Sequence, residues 1–122
     1  MKVLIVDDSA FSRATSGNLI KEFLGEADIF FANDGQDGFE VYKRIKPHYT
    51  FVDLLMPNIN GQDMIKLIKE YNSSAKIFVI SADVQKYVKE EIAQYNIMAF
   101  INKPFNEEKA KMVCDIIRED FK

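Results

Sequence analysis

The chain is predicted to fold as an α/β protein: a doubly wound, five-stranded parallel sheet with helices on both faces. Three observations predict this class. Five short apolar runs rich in Val, Ile and Phe alternate with five longer segments of helical period. The connections between them are short, which favours an open sheet with helices packed on its two faces. Two of the runs, "KVLIV" and "KIFVIS", are apolar almost without interruption, as strands covered on both faces must be. Right-handed crossovers leave few topologies for such a sheet.

The first strand is read at 2–6, and the helix after it at 10–24. That helix is unusual in carrying Thr15, Ser16 and Gly17 at its middle. A glycine there costs roughly 1 kcal/mol against alanine, so packing through Leu19, Ile20 and Phe23 must hold the segment. The second strand is "DIFFA", 28–32, and "NDGQDG", 33–38, supplies turn chemistry and a helix start. As a calcium loop that hexapeptide lacks the ligand spacing and the terminal Glu. A helix over 35–45 follows. His48, the only histidine, lies between Pro47 and Tyr49 just before a strand, so it reads as a surface loop residue and not as a phosphodonor on a helix. The third strand, 49–53, leads to a helix over 61–71. The fourth strand, 76–81, leads to a helix over 84–95. The fifth strand is "AFIN", 99–102, and the last helix spans 106–121. There Asn106 suits the N-cap, and Glu107 and Glu108 suit the first turn. Ala110, Val113, Cys114, Ile117 and Phe121 form one stripe that should face the sheet. Met112 and Ile116 are placed on the opposite side, where two apolar residues need a separate reason.

The bulk composition narrows the function classes. A chain of 122 residues, 48% hydrophobic and 29% charged, is expected to be a single globular domain, 1–122, with a real core and no attached output domain. Net charge is −3, so there is no electrostatic footprint for nucleic acid or an anionic membrane. "MKVLIVDD" has too short an apolar run for a signal peptide, and no stretch reaches the roughly 18 apolar residues of a membrane span. The lone Cys114 cannot form an internal disulfide, which fits a reducing, cytoplasmic setting. Its place on the core stripe suits packing better than redox chemistry.

The stretch "FVDLLMPNING", 51–61, poses the functional question, because an apolar strand runs straight into Asp53. Burying a carboxylate is costly unless something pairs with it. In an open parallel sheet, functional groups collect at the carboxyl ends of the strands. Those ends hold Asp7 and Asp8, Asp53, Ser81 and, beyond the fifth strand, Lys103. Singly, each reads as a helix cap or a solvated loop residue. Together they bring three carboxylates, a hydroxyl and an ammonium to one rim. Such carboxylates repel one another unless a cation neutralises them, and their hard oxygens suit Mg²⁺ with places left for water and phosphate. Lys103 can meet a phosphoryl oxygen or Asp53 itself. These are the parts of a phosphoryl-transfer site with a carboxylate nucleophile.

The motifs "LIVDDS", "VDLLMPNINGQD", "VISA" and "FINKPF" resemble the receiver domain of two-component response regulators, over Val3 to about Ile117. The resemblance, and not the pattern, implies the flavodoxin-like strand order 2-1-3-4-5. It implies that Asp53 is the phosphoacceptor, taking phosphate from a phosphohistidine on a sensor histidine kinase or phosphotransfer protein. It implies Mg²⁺ held by Asp8, Asp53 and the backbone carbonyl of Leu55, with Asp7 acting partly through water. Ser81 matches the switch hydroxyl, Phe100 the aromatic switch position, Lys103 the family's lysine, and Lys103-Pro104 a peptide usually cis. Pro57 and Gly61 shape the loop after the acceptor. Phe100 lacks the hydroxyl of the tyrosine in many relatives, and Leu55 and Asp83 flank the path of a hydrolytic water.

The expected output is a protein contact through the surface of the fourth helix, fifth strand and fifth helix, where Met112 and Ile116 would form a partner or dimerisation patch. The molecule is then a monomer or a phosphorylation-dependent dimer. The favoured reading is a chemotaxis-type regulator whose target is a flagellar motor switch or a phosphatase. A phosphorelay intermediate is the alternative within the family. From other classes, an aspartyl-phosphate-type Mg-dependent phosphatase would place nucleophile and acid two apart on the first strand, whereas here that pair is adjacent. A flavin carrier would need a glycine- and hydroxyl-rich loop in place of "VDDSAFSR".

Overall fold

The computed structural model describes residues 1–56, 58–82 and 85–122. Strands β1 (Lys2–Val6), β2 (Asp28–Ala32), β3 (Tyr49–Val52), β4 (Ile77–Ser81) and β5 (Ala99–Asn102) form one sheet of order β2-β1-β3-β4-β5. Every pairing is parallel: Val3 lies opposite both Ile29 and Tyr49, Thr50 opposite Ile77, and Val79 opposite Phe100. Helices α1 (Ala10–Phe23), α2 (Gly35–Ile45), α3 (Gly61–Tyr71), α4 (Lys86–Ala93) and α5 (Glu107–Asp120) connect and cover the strands.

The period-two alternation of each strand divides the core into two layers. Val3, Ile5, Phe51, Phe78 and Ile101 pack with α1 and α5, whereas Leu4, Val6, Val52, Val79 and Ile77 pack with α2, α3 and α4. The three central strands are buried on both faces, as their unbroken apolar runs require; β2 and β5, at the edges, are partly open. Phe51 and Phe78 stack at 4.9 Å between ring centres across β3 and β4.

Local signals set the helix ends. Ser9, Asp34, Asn60 and Asn106 cap α1, α2, α3 and α5, each accepting a backbone N–H from the first turn. Gly17 lies against the Phe31 ring: a Cβ there would stand 2.7 Å from it, so the ring would have to give way. Ile20 is fully buried on that helix, with Leu19 and Phe23 packed at its margin.

Several boundaries and faces differ from expectation. Helix α4 runs only Lys86–Ala93, because Gln85 gives it no side-chain cap and Gln94 ends it; Val84 lies outside the described residues. Ile116 is half-buried against the α1–α5 layer rather than on the far side. It stands about a third of a turn from the stripe's centre, at the edge of the buried face, and packs at the margin of that layer. Met112, further round, is exposed. Phe121 does not join the core stripe but forms the C-cap of α5, where its half-exposed ring meets His48 edge-on at 5.1 Å. His48 is exposed as expected, and it also accepts the Lys2 N–H on Nδ1 at 2.9 Å. Beside it, Asp120 accepts from the Tyr49 hydroxyl at 2.5 Å and from Lys76, clasping the end of α5 to the sheet. Cys114 is buried in the core, and burial pushes its thiol up to about 11. No helix among the described residues is long and apolar enough to cross a membrane.

Candidate functional site

The sheet's own ladder assembles the site. At the carboxyl ends of the strands, the Asp7 N–H donates to the Ala32 carbonyl, the Asp53 N–H to that of Val6, and the Lys103 N–H to that of Ser81. Backbone hydrogen bonds therefore fix the places of Asp7, Asp53 and Lys103 before any side chain acts. Asp53 stands one residue beyond β3, Asp7 and Asp8 fill the turn before Ser9 starts α1, and Lys103 follows β5.

Carboxylate oxygens of Asp7, Asp8 and Asp53 lie within 4.8 Å of one another. Asp7 and Asp53 are buried, and Asp8 is exposed. The Lys103 ammonium bridges the buried pair, 3.1 Å from Asp7 Oδ2 and 3.0 Å from Asp53 Oδ2. The other Asp53 oxygen accepts the Leu55 N–H at 3.1 Å and the Ser81 hydroxyl at 3.4 Å. Asp7 Oδ1 accepts the Ser9 N–H at 2.9 Å. This answers the question that Asp53 posed in the sequence: a lysine fifty residues further along is its partner.

The electrostatics are strained by design of the fold. Burial raises the Asp53 carboxyl above its ordinary range, reinforced by the charge of Asp7 and opposed by Lys103 and the Leu55 N–H. Burial lowers the Lys103 ammonium, but hydrogen bonds to Asp53 and Asp7 outweigh it and the net shift is upward. One ammonium faces three carboxylates, so the cluster keeps net negative charge. All donors are hard oxygens, and the exposed Asp8 opens the cluster toward solvent. That donor set fits Mg²⁺, which keeps several waters and takes only a few carboxylates from a protein. Beside it, a cleft of about 500 Å³ is lined by Asp8, Leu54, Leu55, Met56, Asn60 and Gln62.

Gly61 belongs to the site through close packing. A Cβ there would lie 2.5 Å from Leu54 Cα and 2.6 Å from the Asp53 carbonyl oxygen, so only glycine lets α3 start beneath the loop after Asp53. The Lys103–Pro104 peptide is cis, as the resemblance implies. Ser81 is fully buried, and Phe100 is half-buried on the α4 side of the sheet. Leu55 is exposed, while Pro57 and Asp83 lie outside the described residues.

Sequence reasoning missed two cations. Arg13 Nη1 donates to the Asp7 carbonyl at 2.6 Å and so steadies the acidic turn; its position one helical turn after Ser9 was the available signal. Lys89 Nζ sits 4.8 Å from the centre of the Phe100 ring, a pairing between helix and strand that no local spacing announces.

Comparison with known proteins agrees with this geometry. The family model described as "Response regulator receiver domain" matches residues 3–114. A chemotaxis protein CheY of Thermotoga maritima is 39% identical over 108 residues, covering 85% of this chain and 86% of that one. Among solved structures, the REC domain of AraT from Geobacillus stearothermophilus superposes with a TM-score of 0.88 at 26% identity, covering 98% of this chain and 94% of that one. The CheX–CheY–BeF3–Mg complex of Borrelia burgdorferi superposes with a TM-score of 0.82 at 28% identity, covering 100% of this chain and 90% of that one. An acidic rim clamped by a lysine, on this sheet order and with this match along nearly the whole chain, places the protein in the response regulator receiver domain family of two-component signalling.

Proposed function

We propose that the chain is a phosphorylation-operated switch, with Asp53 as the phosphoacceptor and a sensor histidine kinase or phosphotransfer protein as donor. The observation that carries this reading is the Lys103 bridge between Asp7 and Asp53, set beside the exposed carboxylate of Asp8. A buried carboxylate thereby has a cationic partner at a solvent-open rim.

An Asp53 oxygen attacks the phosphorus of a phosphohistidine. The new O–P bond forms as the N–P bond breaks, and the imidazole nitrogen leaves with the electron pair. Lys103, already 3.0 Å from Asp53, neutralises charge on a phosphoryl oxygen. The Ser81 hydroxyl, 3.4 Å from the same carboxylate, donates to another. Asp8, Asp53 and the Leu55 carbonyl would hold Mg²⁺, with Asp7 acting through water, and the ion would supply neutralising charge to the phosphoryl group. The complex of the Borrelia burgdorferi CheY relative with BeF3 and Mg supports this assignment.

Phosphorylation brings roughly −1.5 to −2 of charge to the rim. Ser81 turns to the phosphoryl oxygen, Phe100 takes the space it leaves, and the α4–β5–α5 face changes. Output is a protein contact of the chemotaxis type. Supporting this are the CheY relative of Thermotoga maritima and the CheX–CheY complex of Borrelia burgdorferi. Met112 is exposed on α5; Ile116, half-buried, serves packing instead.

The test is acetyl phosphate or beryllofluoride with Mg²⁺, using Asp53→Asn as control and the activated protein to capture partners. Labelling or binding that requires Asp53 supports the assignment. Modification that persists in the Asn variant refutes it.

A further inference from the structure

We propose that Lys89 is a positioning residue that latches the Phe100 ring in the resting arrangement and so opposes activation. The proposal rests on the reading of Asp53 as phosphoacceptor and Phe100 as a ring that moves on phosphorylation. The Lys89 ammonium stands over the face of the Phe100 ring, 4.8 Å from its centre. At that distance a cation is attracted by the ring quadrupole whether or not the ring carries a hydroxyl. The contact therefore gives a phenylalanine a directional partner where a phenol could have used a hydrogen bond.

The surroundings make this contact matter. Helix α4 is the shortest helix among the described residues, at 8 residues, and buries only Ile92. Its N-cap, Gln85, makes no side-chain cap hydrogen bond. Beneath its first turn lies a cavity of about 230 Å³ lined by residues that include Ser81, Leu54, Gln62 and Val88. Helix α4 thus has little else to fix it, and the space beside the switch hydroxyl is open. Phe100 lies opposite Val79, two residues before Ser81 on β4, and packs against the α2–α3–α4 layer. Lys89 joins α4 to this ring across the helix–strand gap. A ring leaving for the switch position loses the cation, so the contact stabilises only the resting state.

The experiment is beryllofluoride titration with Mg²⁺ of wild type, Lys89→Met, Lys89→Arg, Phe100→Leu and the Lys89→Met/Phe100→Leu double variant, with Asp53→Asn as control. Phe100 ring resonances are followed by NMR in the resting protein. Lys89→Met is expected to tighten beryllofluoride binding roughly two- to fivefold and to shift the Phe100 ring signals. Lys89→Arg is expected to restore both, and Lys89→Met is expected to have no effect in the Phe100→Leu background. Asp53-dependent binding that Lys89→Met leaves unchanged, weakens, or alters equally in the Phe100→Leu background overturns the latch alone. If wild type shows no Asp53-dependent binding, the phosphoacceptor reading falls and takes the latch with it.

Discussion

Asp53 shows at the scale of one residue what the site costs the fold. Burial and the neighbouring Asp7 charge both act against its ionised form, and Lys103 offsets them only in part, since the carboxyl remains raised. Replacing it with asparagine removes the like-charge repulsion while Lys103 keeps Asp7 as a partner. In EDTA, Asp53→Asn is therefore expected to be more stable than wild type by on the order of 1 kcal/mol, measured by urea denaturation at pH 7. An equal or lower midpoint would show that Lys103 fully compensates the buried charge. Cys114 gives a second single-residue test. Its thiol is raised to about 11 by burial in the α1–α5 layer, so the reactive thiolate is scarce at neutral pH. Iodoacetamide at pH 7.5 should leave it unlabelled in the folded protein and label it after denaturation. Its core role was legible from its place on the α5 stripe. Phe121 shares that stripe by angle, yet it misled, because a residue at a helix end is free to turn toward His48 and Tyr49.

Elements were more legible than their edges. Each of the ten was visible in the period of apolar residues, because caps and turns such as Asn106 and "NDGQDG" mark boundaries locally. Helix α4 came out shorter than its pattern, since weak burial and a missing cap leave little to sustain its ends. Glycines separate two kinds of element contact. Gly61→Ala drives a Cβ into the backbone of Leu54 and Asp53, 2.5 and 2.6 Å away. It should cost roughly 2 kcal/mol or more and weaken Asp53 phosphorylation, read by chemical denaturation and acetyl-phosphate labelling. Gly17→Ala meets only the half-exposed Phe31 ring, which can swing aside while the helix gains propensity. Its stability should stay within about 0.5 kcal/mol of wild type. The clasp on α5 adds a pH dependence. Lys76 and the Tyr49 hydroxyl both hydrogen-bond Asp120 and hold its carboxyl below 3.8. A depressed folded value stabilises above the unfolded value and is lost as pH falls through the folded one. Asp120→Asn should thus lower stability at pH 7, on the order of 0.5 to 1 kcal/mol for a partly exposed pair. The gap to wild type should narrow as pH falls below the ordinary carboxylate value of 3.8 and through the depressed folded one.

The layout of the whole molecule explains why so much of the site could be read from one sequence. A parallel sheet gathers its strand ends on one rim, so residues 7, 8, 53, 81 and 103 meet wherever the strands are correctly placed. Contacts that cross between layers have no such rule. Arg13 on the Asp7 carbonyl and Lys89 on the Phe100 ring depend on rotamers and on helix height above the sheet, and neither leaves a spacing in the chain. With the rim holding Mg²⁺ as proposed, global stability is expected to depend on that ion. The carboxylates lie within 4.8 Å of one another only in the folded chain, so an ion held there binds the native state and not the unfolded one. Its stabilisation follows RT ln(1 + [Mg²⁺]/Kd), or about 2.7 kcal/mol at a hundredfold excess over Kd. For a domain of this size that raises Tm by roughly 10 °C. A thermal melt in Mg²⁺ against EDTA should show the rise in wild type, most of it lost in Asp8→Asn and Asp53→Asn, and all of it retained in Asp120→Asn, whose carboxylate lies at the opposite end of the sheet. Equal Mg²⁺ shifts in every variant would mean the ion acts on general surface charge, and the acidic rim would lose its claim to be a metal site.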